Sequence, residues 1–147
     1  MTTFSLRPAD PSDLPAIKIL VRSVRINPTG LSWPRFVVAE NDLGEVIGCG
    51  QIKSHRDGSF ELASLVVAEN YRGQGIARSL VANLKANHEG NRYLMCRSSL
   101  GEFYKKLGFA PVSEPQMPPY FRRISRLASL AEFLQKEGET LLVMRKL

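Results

Sequence analysis

Hydrophobic and polar residues alternate, or form short apolar runs, through the first half of the chain. The turn sequences Asn41-Asp42-Leu43-Gly44 and Arg56-Asp57-Gly58 separate these segments, and Asp-Gly is typical of tight hairpins. Together with a short strand at Phe4 to Arg7, the pattern predicts antiparallel strands in succession. The predicted strands of this half after the first cover residues 35–40, 46–55 and 60–67.

Apolar residues at helical spacing predict helices between and after these strands. Leu14, Ile17, Val21 and Val24 form the first such stripe, behind an N-terminal cap at Asp10 with Pro11 in the first turn. Further stripes predict a helix that starts at Ile76 and is terminated by Gly90, a helix over residues 100–107, and a helix over residues 121–134 that ends before Gly138. Strands are predicted over residues 93–97, 109–112 and 140–145. Strands that first follow one another and then alternate with helices indicate an α/β (α+β) fold with a mixed central sheet, antiparallel early and with a parallel crossover later.

Length and composition favour one globular domain over residues 1–147. Hydrophobic residues make up 44% and charged residues 23%, and no apolar run is long enough to span a membrane. Cys49 and Cys96 stand alone inside predicted strands, which indicates buried reduced thiols and a cytoplasmic protein without disulfides. The net charge of +6 has three interpretations: a solvated surface, an anionic ligand, or nucleic acid. The basic residues are spread along the chain, so we rank nucleic acid last.

The segment Leu65 to Leu80 predicts an anion site. A β-branched run ends in a polar turn, then Arg72-Gly73-Gln74-Gly75, and a helix-spaced apolar stripe begins at Ile76. A helix start presents unpaired N–H groups and partial positive charge, which suit a phosphate. The turn is neither a Walker A loop nor a dinucleotide fingerprint, since no Gly-Lys-Ser/Thr follows and Arg78 replaces the third glycine. Taken alone, its glycines are also consistent with a purely structural turn.

Two motifs resemble those of the GNAT family of N-acetyltransferases. Glu61 to Ala77 is similar to the family's acetyl-CoA motif, Gln/Arg-x-x-Gly-x-Gly/Ala, which Arg72, Gly75 and Ala77 match. Phe103-Tyr104-Lys105-Lys106-Leu107-Gly108-Phe109 resembles the helix end that follows the family's fifth strand. The predicted order of strands and helices is also the family's order. The resemblance implies the GNAT acyl-CoA N-acyltransferase fold, with a mixed central sheet flanked by helices.

The resemblance implies acetyl-CoA as cosubstrate and no metal. The N–H groups at the start of the predicted helix would hold the pyrophosphate of coenzyme A, and the backbone of the preceding strand would pair with the pantetheine arm, near a bulge at Val66 and Val67. The residues implied in coenzyme binding are Leu65, Val66, Val67, Arg72, Gly73, Gln74, Gly75, Ile76, Ala77 and Arg78.

Acetyl transfer to an amine needs a base for the amine and an acid for the leaving thiolate. Tyr104 matches the family's usual acid, although its apolar stripe is also consistent with core packing. Glu61 is the candidate base, taking the proton directly or through water; an ion-paired carboxylate at the sheet edge is the alternative, and both stay open. Ser98 and Ser99 are candidates to orient a base or the coenzyme. His55 and His88, far apart in sequence, indicate neither a metal pair nor a triad.

The acceptor is expected to be a small-molecule amine that carries a carboxylate, such as an amino acid. The prediction depends on basic residues in the first helix and in the long connection after Val112. The alternatives are a protein lysine or N-terminal acetyltransferase and a non-catalytic acyl-CoA sensor. The protein is expected to be a monomer or a homodimer. The basic residues concerned are Arg22, Arg25, Arg122, Arg123 and Arg126.

Overall fold

In the part of the chain that the structure describes, the fold contains a mixed seven-stranded sheet flanked by four helices, as predicted from the sequence. The structure, a computed structural model, describes residues 2–24, 29–90, 92–130 and 138–146, without the side chains of residues 129 and 130. The strand order is β1-β2-β3-β4-β5-β7-β6. The strands are β1 (Phe4–Pro8), β2 (Phe36–Asn41), β3 (Val46–Ser54), β4 (Phe60–Val67), β5 (Arg92–Arg97), β6 (Phe109–Pro111) and β7 (Leu141–Lys146), and the helices are α1 (Leu14–Arg22), α2 (Ile76–Ala86), α3 (Gly101–Lys105) and α4 (Pro119–Leu130).

The boundaries of most elements lie within two residues of the predicted ones. β1 pairs with β2 and β2 with β3 in antiparallel register, and β7 pairs antiparallel with both β5 and β6. The prediction for α2 is wrong at its end, because the helix stops at Ala86, before Gly90. Predicted helical positions after Leu130, among them Ala131 and Leu134, lie outside the described residues.

The chain divides into two compact units. One comprises Met1–Lys53 and Leu62–Glu89, and the other comprises Ser54–Glu61 and Gly90–Leu147. β4 therefore contributes its first two residues to the second unit and its remaining residues to the first.

Helices α1 and α2 supply the apolar side chains of the first unit's core. Ile17 and Val21 of α1 pack in a cluster with Phe36 and Val38 of β2, and none of the four is more than 2% exposed. In α2, Leu80 and its neighbour along the stripe, Ile76, join a second cluster with residues of β2, β3 and β4. Burying these stripes is the main stabilising contribution, since each such side chain is worth about 1.5–3 kcal/mol.

Phe121 of α4 is the centre of the second unit's apolar cluster. It is fully buried and packs with Tyr93, Met117 and Val143. Its ring lies 5.1 Å from that of Tyr93. Phe121 therefore docks α4 in the core of its unit, whereas Leu127 of the same helix is 62% exposed.

The start of α1 is fixed by the predicted cap and by an ion pair. Asp10 caps a 3₁₀ turn, Pro11–Asp13, that leads into α1, and Asp13 completes a capping box. The buried carboxylate of Asp13 accepts from both terminal nitrogens of Arg7, at 2.7 and 2.9 Å. This hydrogen-bonded pairing with Arg7 is the main reason why the pKa of Asp13 lies below its ordinary value.

Burial of both cysteines confirms the expectation of buried free thiols and predicts a loss of stability in alkali. Burial raises the pKa of Cys49 from 9.0 to about 12, so the unfolded thiol ionises first and stability falls as pH rises between these values. Removing the thiol in Cys49→Ala should reduce the loss of unfolding free energy between pH 8 and pH 10 by about 1.4 kcal/mol. Urea unfolding of both proteins at the two pH values measures this difference, and an equal loss in both would contradict it.

Candidate active site

The glycine turn of the first unit has backbone that favours glycine at two positions. Gly73 and Gly75 have φ angles of 79° and 84°, and Gly75 is the N-cap of α2. Among the described residues, no heavy atom beyond the glycine, its two chain neighbours and adjoining helix backbone lies within 4 Å of the place where a Cβ would stand at either glycine. The N–H groups of the first turn of α2 have no partner within the helix. The turn therefore combines left-handed backbone, open space and a helix start, as an anion site requires.

Side chains around the turn hold its ends in place. Arg72 Nε donates to the carbonyl oxygen of Val67 at 3.0 Å, and Gln74 Oε1 accepts from the backbone N–H of Thr2 at 2.9 Å. Ile76 is 1% exposed and belongs to the core, whereas the side chain of Arg78 is exposed. These contacts show how the turn is positioned; the roles of its residues toward coenzyme A stay predictions.

Strand β4 departs from regular geometry before the turn. Ser64 has a φ of 54° and is the one non-glycine residue with positive φ in the described part of the chain. Its side-chain oxygen accepts from Gln51 Nε2 at 2.8 Å, and its carbonyl oxygen accepts from the thiol of Cys49 at 3.5 Å. Left-handed backbone is uncommon for such a residue and is often found at functional sites. The family resemblance predicts a bulge at Val66 and Val67. The irregular backbone of β4 lies two residues before Val66, at Ser64.

Tyr104 lies in the second unit, on α3, and is 9% exposed. Its ring makes edge contacts with Phe103 and Phe109, at centroid distances of 5.0 and 6.2 Å. Burial raises the pKa of Tyr104 above its ordinary value of 10.0, and the nearby Cys96 adds to the shift. The hydroxyl therefore stays protonated into alkaline solution, while the aromatic contacts are those that the core-packing interpretation predicts.

Glu61, also in the second unit, is 6% exposed and pairs with a histidine. Its Oε1 lies 3.0 Å from Nε2 of His55, whose ring stacks on Tyr120. This pair was not predicted from the sequence, because the separation of His55 from His88 says nothing about Glu61. The Asp-Gly hairpin between residues 55 and 61 was the available signal, since a tight turn brings its two flanks together.

Several residues assigned to the acceptor or to orientation have partners inside their own unit. Arg126 pairs with Glu114, and Arg122 Nη2 donates to the carbonyl oxygen of Met117 at 2.9 Å. Ser98 Oγ accepts from the backbone N–H of Thr140 at 3.1 Å, beside the junction of β5 and β7. Arg25 lies outside the described residues. These contacts give a structural role to Arg122, Arg126 and Ser98. Any role of these residues toward the acceptor or the coenzyme would be additional to it.

The sequence matches a known family over the part of the chain that contains these features. Residues 32–111, more than half of the chain, match the family model described as "Acetyltransferase (GNAT) domain". The chain belongs to the GNAT acetyltransferase family. The matched range includes the glycine turn, Glu61 and Tyr104.

A curated relative and several solved structures resemble this GNAT chain. An uncharacterised N-acetyltransferase of Chlorobaculum tepidum is 31% identical over 77 residues, which cover 51% of this chain and 50% of the relative. The chain thus spans about half the length of the curated relative that it matches. The Neisseria gonorrhoeae N-acetylglutamate synthase, solved with coenzyme A and N-acetyl-glutamate, has a TM-score of 0.73 at 21% identity, over 99% of this chain and 35% of the synthase.

Two further structures match this GNAT chain over nearly their whole lengths. Rv2747 of Mycobacterium tuberculosis, solved with CoA, has a TM-score of 0.69 at 24% identity and covers 95% of this chain and 97% of its own. Escherichia coli ElaA has a TM-score of 0.68 at 17% identity and covers both chains completely. At such identities the likeness establishes the fold.

Within residues 2–24, 29–90, 92–130 and 138–146, no helix is long and apolar enough to cross a membrane. The same part of the chain contains no cluster of three or more His, Cys, Asp or Glu residues arranged to hold a metal ion.

Proposed function

We propose that this protein is an acetyl-CoA-dependent N-acetyltransferase whose acceptor is a small amine that carries a carboxylate. The single observation that carries the proposal is the turn at Gly73 and Gly75. Both glycines have positive φ angles and open space at the Cβ position, directly at the start of an eleven-residue helix in a chain of the GNAT family.

The turn fits the pyrophosphate of coenzyme A. Backbone N–H groups from Gly73 to Arg78 would bind its oxygens, and the partial positive charge of the helix start would stabilise the negative charge. The backbone of Leu65 to Val67 would pair with the pantetheine arm as an added strand does. Within the first unit, the carbonyl of Val67 already accepts from Arg72, which holds that end of β4 in place. Acetyl-CoA supplies the activated acyl group.

Glu61 and Tyr104 would carry the proton transfers. The carboxylate of Glu61 would take a proton from the acceptor's ammonium, directly or through water, and leave the nitrogen lone pair to attack the acyl carbon. Tyr104 would give its hydroxyl proton to the departing sulfur. Because burial raises the pKa of Tyr104, the hydroxyl remains a proton donor across the pH range in which an amine can be deprotonated.

A carboxylate on the acceptor is supported by the positive charge of the chain. Arg22 and Arg123 are exposed cations on α1 and α4. A synthase with the same fold has been solved with N-acetyl-glutamate, which is a carboxylate-bearing acetylated amine. We therefore expect amino acids to be better acceptors than amines of similar size without a carboxylate.

Release of free thiol from acetyl-CoA in the presence of an amine panel tests the proposal. The panel should pair each amino acid with its decarboxylated amine, so that the two substrates differ in the carboxylate alone. We expect kcat/KM to be at least about tenfold higher for the amino acid, since a charged hydrogen bond contributes roughly 1.5–3 kcal/mol. Mass spectrometry confirms the acetylated product.

Other outcomes identify the alternatives. Acetylation of peptide lysines or N-termini with no small-molecule turnover would replace the acceptor class while leaving the reaction unchanged. Tight coenzyme A binding without turnover of any amine would identify an acyl-CoA sensor. No coenzyme A binding in calorimetry would overturn the proposal altogether.

A further inference from the structure

His55 lies against the candidate base, and neither the family motifs nor the proposed reaction uses it. Its Nε2 atom is 3.0 Å from Oε1 of Glu61, and the two side chains are 12% and 8% exposed. An ionised carboxylate can only accept hydrogen bonds, so toward an ionised Glu61 the Nε2 atom would carry the proton and donate it. Such a bond would fix the carboxylate in one orientation.

The first residues of α4 hold the imidazole. The ring of Tyr120 stacks on that of His55 with a centroid distance of 3.6 Å and an interplanar angle of 16°. The ring of Phe121, which is fully buried, lies nearly perpendicular to the imidazole, with a centroid distance of 5.6 Å and an interplanar angle of 87°. The imidazole therefore lies against two aromatic rings of one helix, one stacked and one perpendicular.

The hairpin that carries His55 is in turn bonded to the start of α4. Asp57 Oδ2 accepts from the backbone N–H of Tyr120 at 3.1 Å, and Asp57 Oδ1 accepts from the N–H of Ser59 at 2.9 Å. The carboxylate thus satisfies a donor in the first turn of α4 and fixes the turn between His55 and Glu61. Helix, hairpin, imidazole and carboxylate form one connected set of contacts within the second unit.

We propose that His55 is a positioning residue for Glu61, and that the start of α4 supports the base through the stack of Tyr120 on His55. The inference rests on the proposed function, because it takes Glu61 to be the base. In the reaction, an N–H bond of the ammonium breaks and an O–H bond forms on Glu61, while the proton on Nε2 of His55 stays in place. His55 orients the carboxylate and exchanges no proton with the substrate.

A pair of substitutions at His55 separates hydrogen bonding from packing. His55→Leu removes the donor and should lower kcat by up to about 100-fold with an unchanged KM for acetyl-CoA, since misplacing a reacting group is costly. His55→Gln keeps an N–H donor and should retain most of the rate. His88→Leu, at the other of the two histidines, is the matched control and should leave kcat unchanged. Equal rates for wild type and His55→Leu would overturn the proposal.

A double-mutant cycle tests whether His55 acts through Glu61. In the Glu61→Gln background, His55→Leu should cause no further loss of kcat, whereas independent roles would multiply the two losses. Tyr120→Leu should lower kcat about 2- to 10-fold by removing the stack, and Tyr120→Phe, which keeps a ring, should not. Multiplying losses at His55 and Glu61 would overturn the positioning role.

Nuclear magnetic resonance of the resting protein keeps this inference distinguishable from the proposed function. The chain has two histidines, so His55→Leu assigns the imidazole signals directly. We expect the His55 proton on Nε2 and a marked shift of that signal in Glu61→Gln. An unprotonated Nε2, or a signal indifferent to Glu61→Gln, would overturn the inference even if the enzyme is active. The expected signals in a protein that acetylates no amine would instead refute the proposed function alone.

Discussion

Gly75→Glu should weaken binding of coenzyme A at least about 100-fold, which corresponds to roughly 2.7 kcal/mol. The new side chain would place a carboxylate at the N-cap of α2, where the proposed site needs positive potential for a pyrophosphate. It would also occupy the space beside the turn, which is open to the described residues beyond the chain neighbours of Gly75 and the adjoining helix backbone. Isothermal titration calorimetry with coenzyme A measures the change.

Gly44→Glu is the matched control for this substitution. Gly44 has a φ of 76° and equally open space at its Cβ position, and it lies in the turn between β2 and β3. The backbone strain and the added charge are therefore the same, while the location differs. Unchanged coenzyme A affinity in Gly75→Glu, or an equal loss in Gly44→Glu, would remove the glycine turn from the proposed site.

Tyr104→Phe should lower kcat about 10²- to 10⁴-fold, the usual contribution of a general acid, and leave the affinity for coenzyme A nearly unchanged. The ring contacts with Phe103 and Phe109 remain, so the variant should fold normally. In the wild type, the raised pKa of Tyr104 means that its ionisation should not reduce the rate below pH 10, the ordinary value for the group. Steady-state rates across this pH range test both expectations.

Tyr93→Phe controls for the loss of a buried hydroxyl. Tyr93 is 5% exposed in the same unit, and it packs in the cluster around Phe121. Its substitution should leave kcat within about twofold of the wild-type value, as expected for a residue without a role in the reaction. A wild-type rate in Tyr104→Phe would instead support the core-packing interpretation of that residue.

Most of the fold could be predicted because its signals are local. Alternation in β2 to β4, the Asp-Gly turn, and the apolar stripes of α1 and α2 each depend on neighbouring residues. The predicted range of β4, residues 60–67, agrees with the structure, and Asp10 is the cap that its sequence context indicates. The end of α2 was predicted less well. A glycine such as Gly90 marks a position that the helix is not expected to pass, but the hydrogen bonds of the helix can end some residues earlier, as they do here at Ala86.

The sequence by itself determined the order of elements, the glycine turn at a helix start, and, through two motifs, the family and its expected coenzyme. Only the tertiary structure decided which side chains lie against Glu61, the candidate base. Nε2 of His55 lies 3.0 Å from Oε1 of Glu61, and Tyr120, 65 residues further along the chain from His55, stacks on the imidazole. The physical reason is that a stack between distant segments leaves no periodic signal in either of them, since it depends on how α4 packs in its unit. The backbone of Ser64 could not be predicted from the sequence for the same reason. Its left-handed conformation occurs together with hydrogen bonds from Gln51 and Cys49, which lie on a different strand.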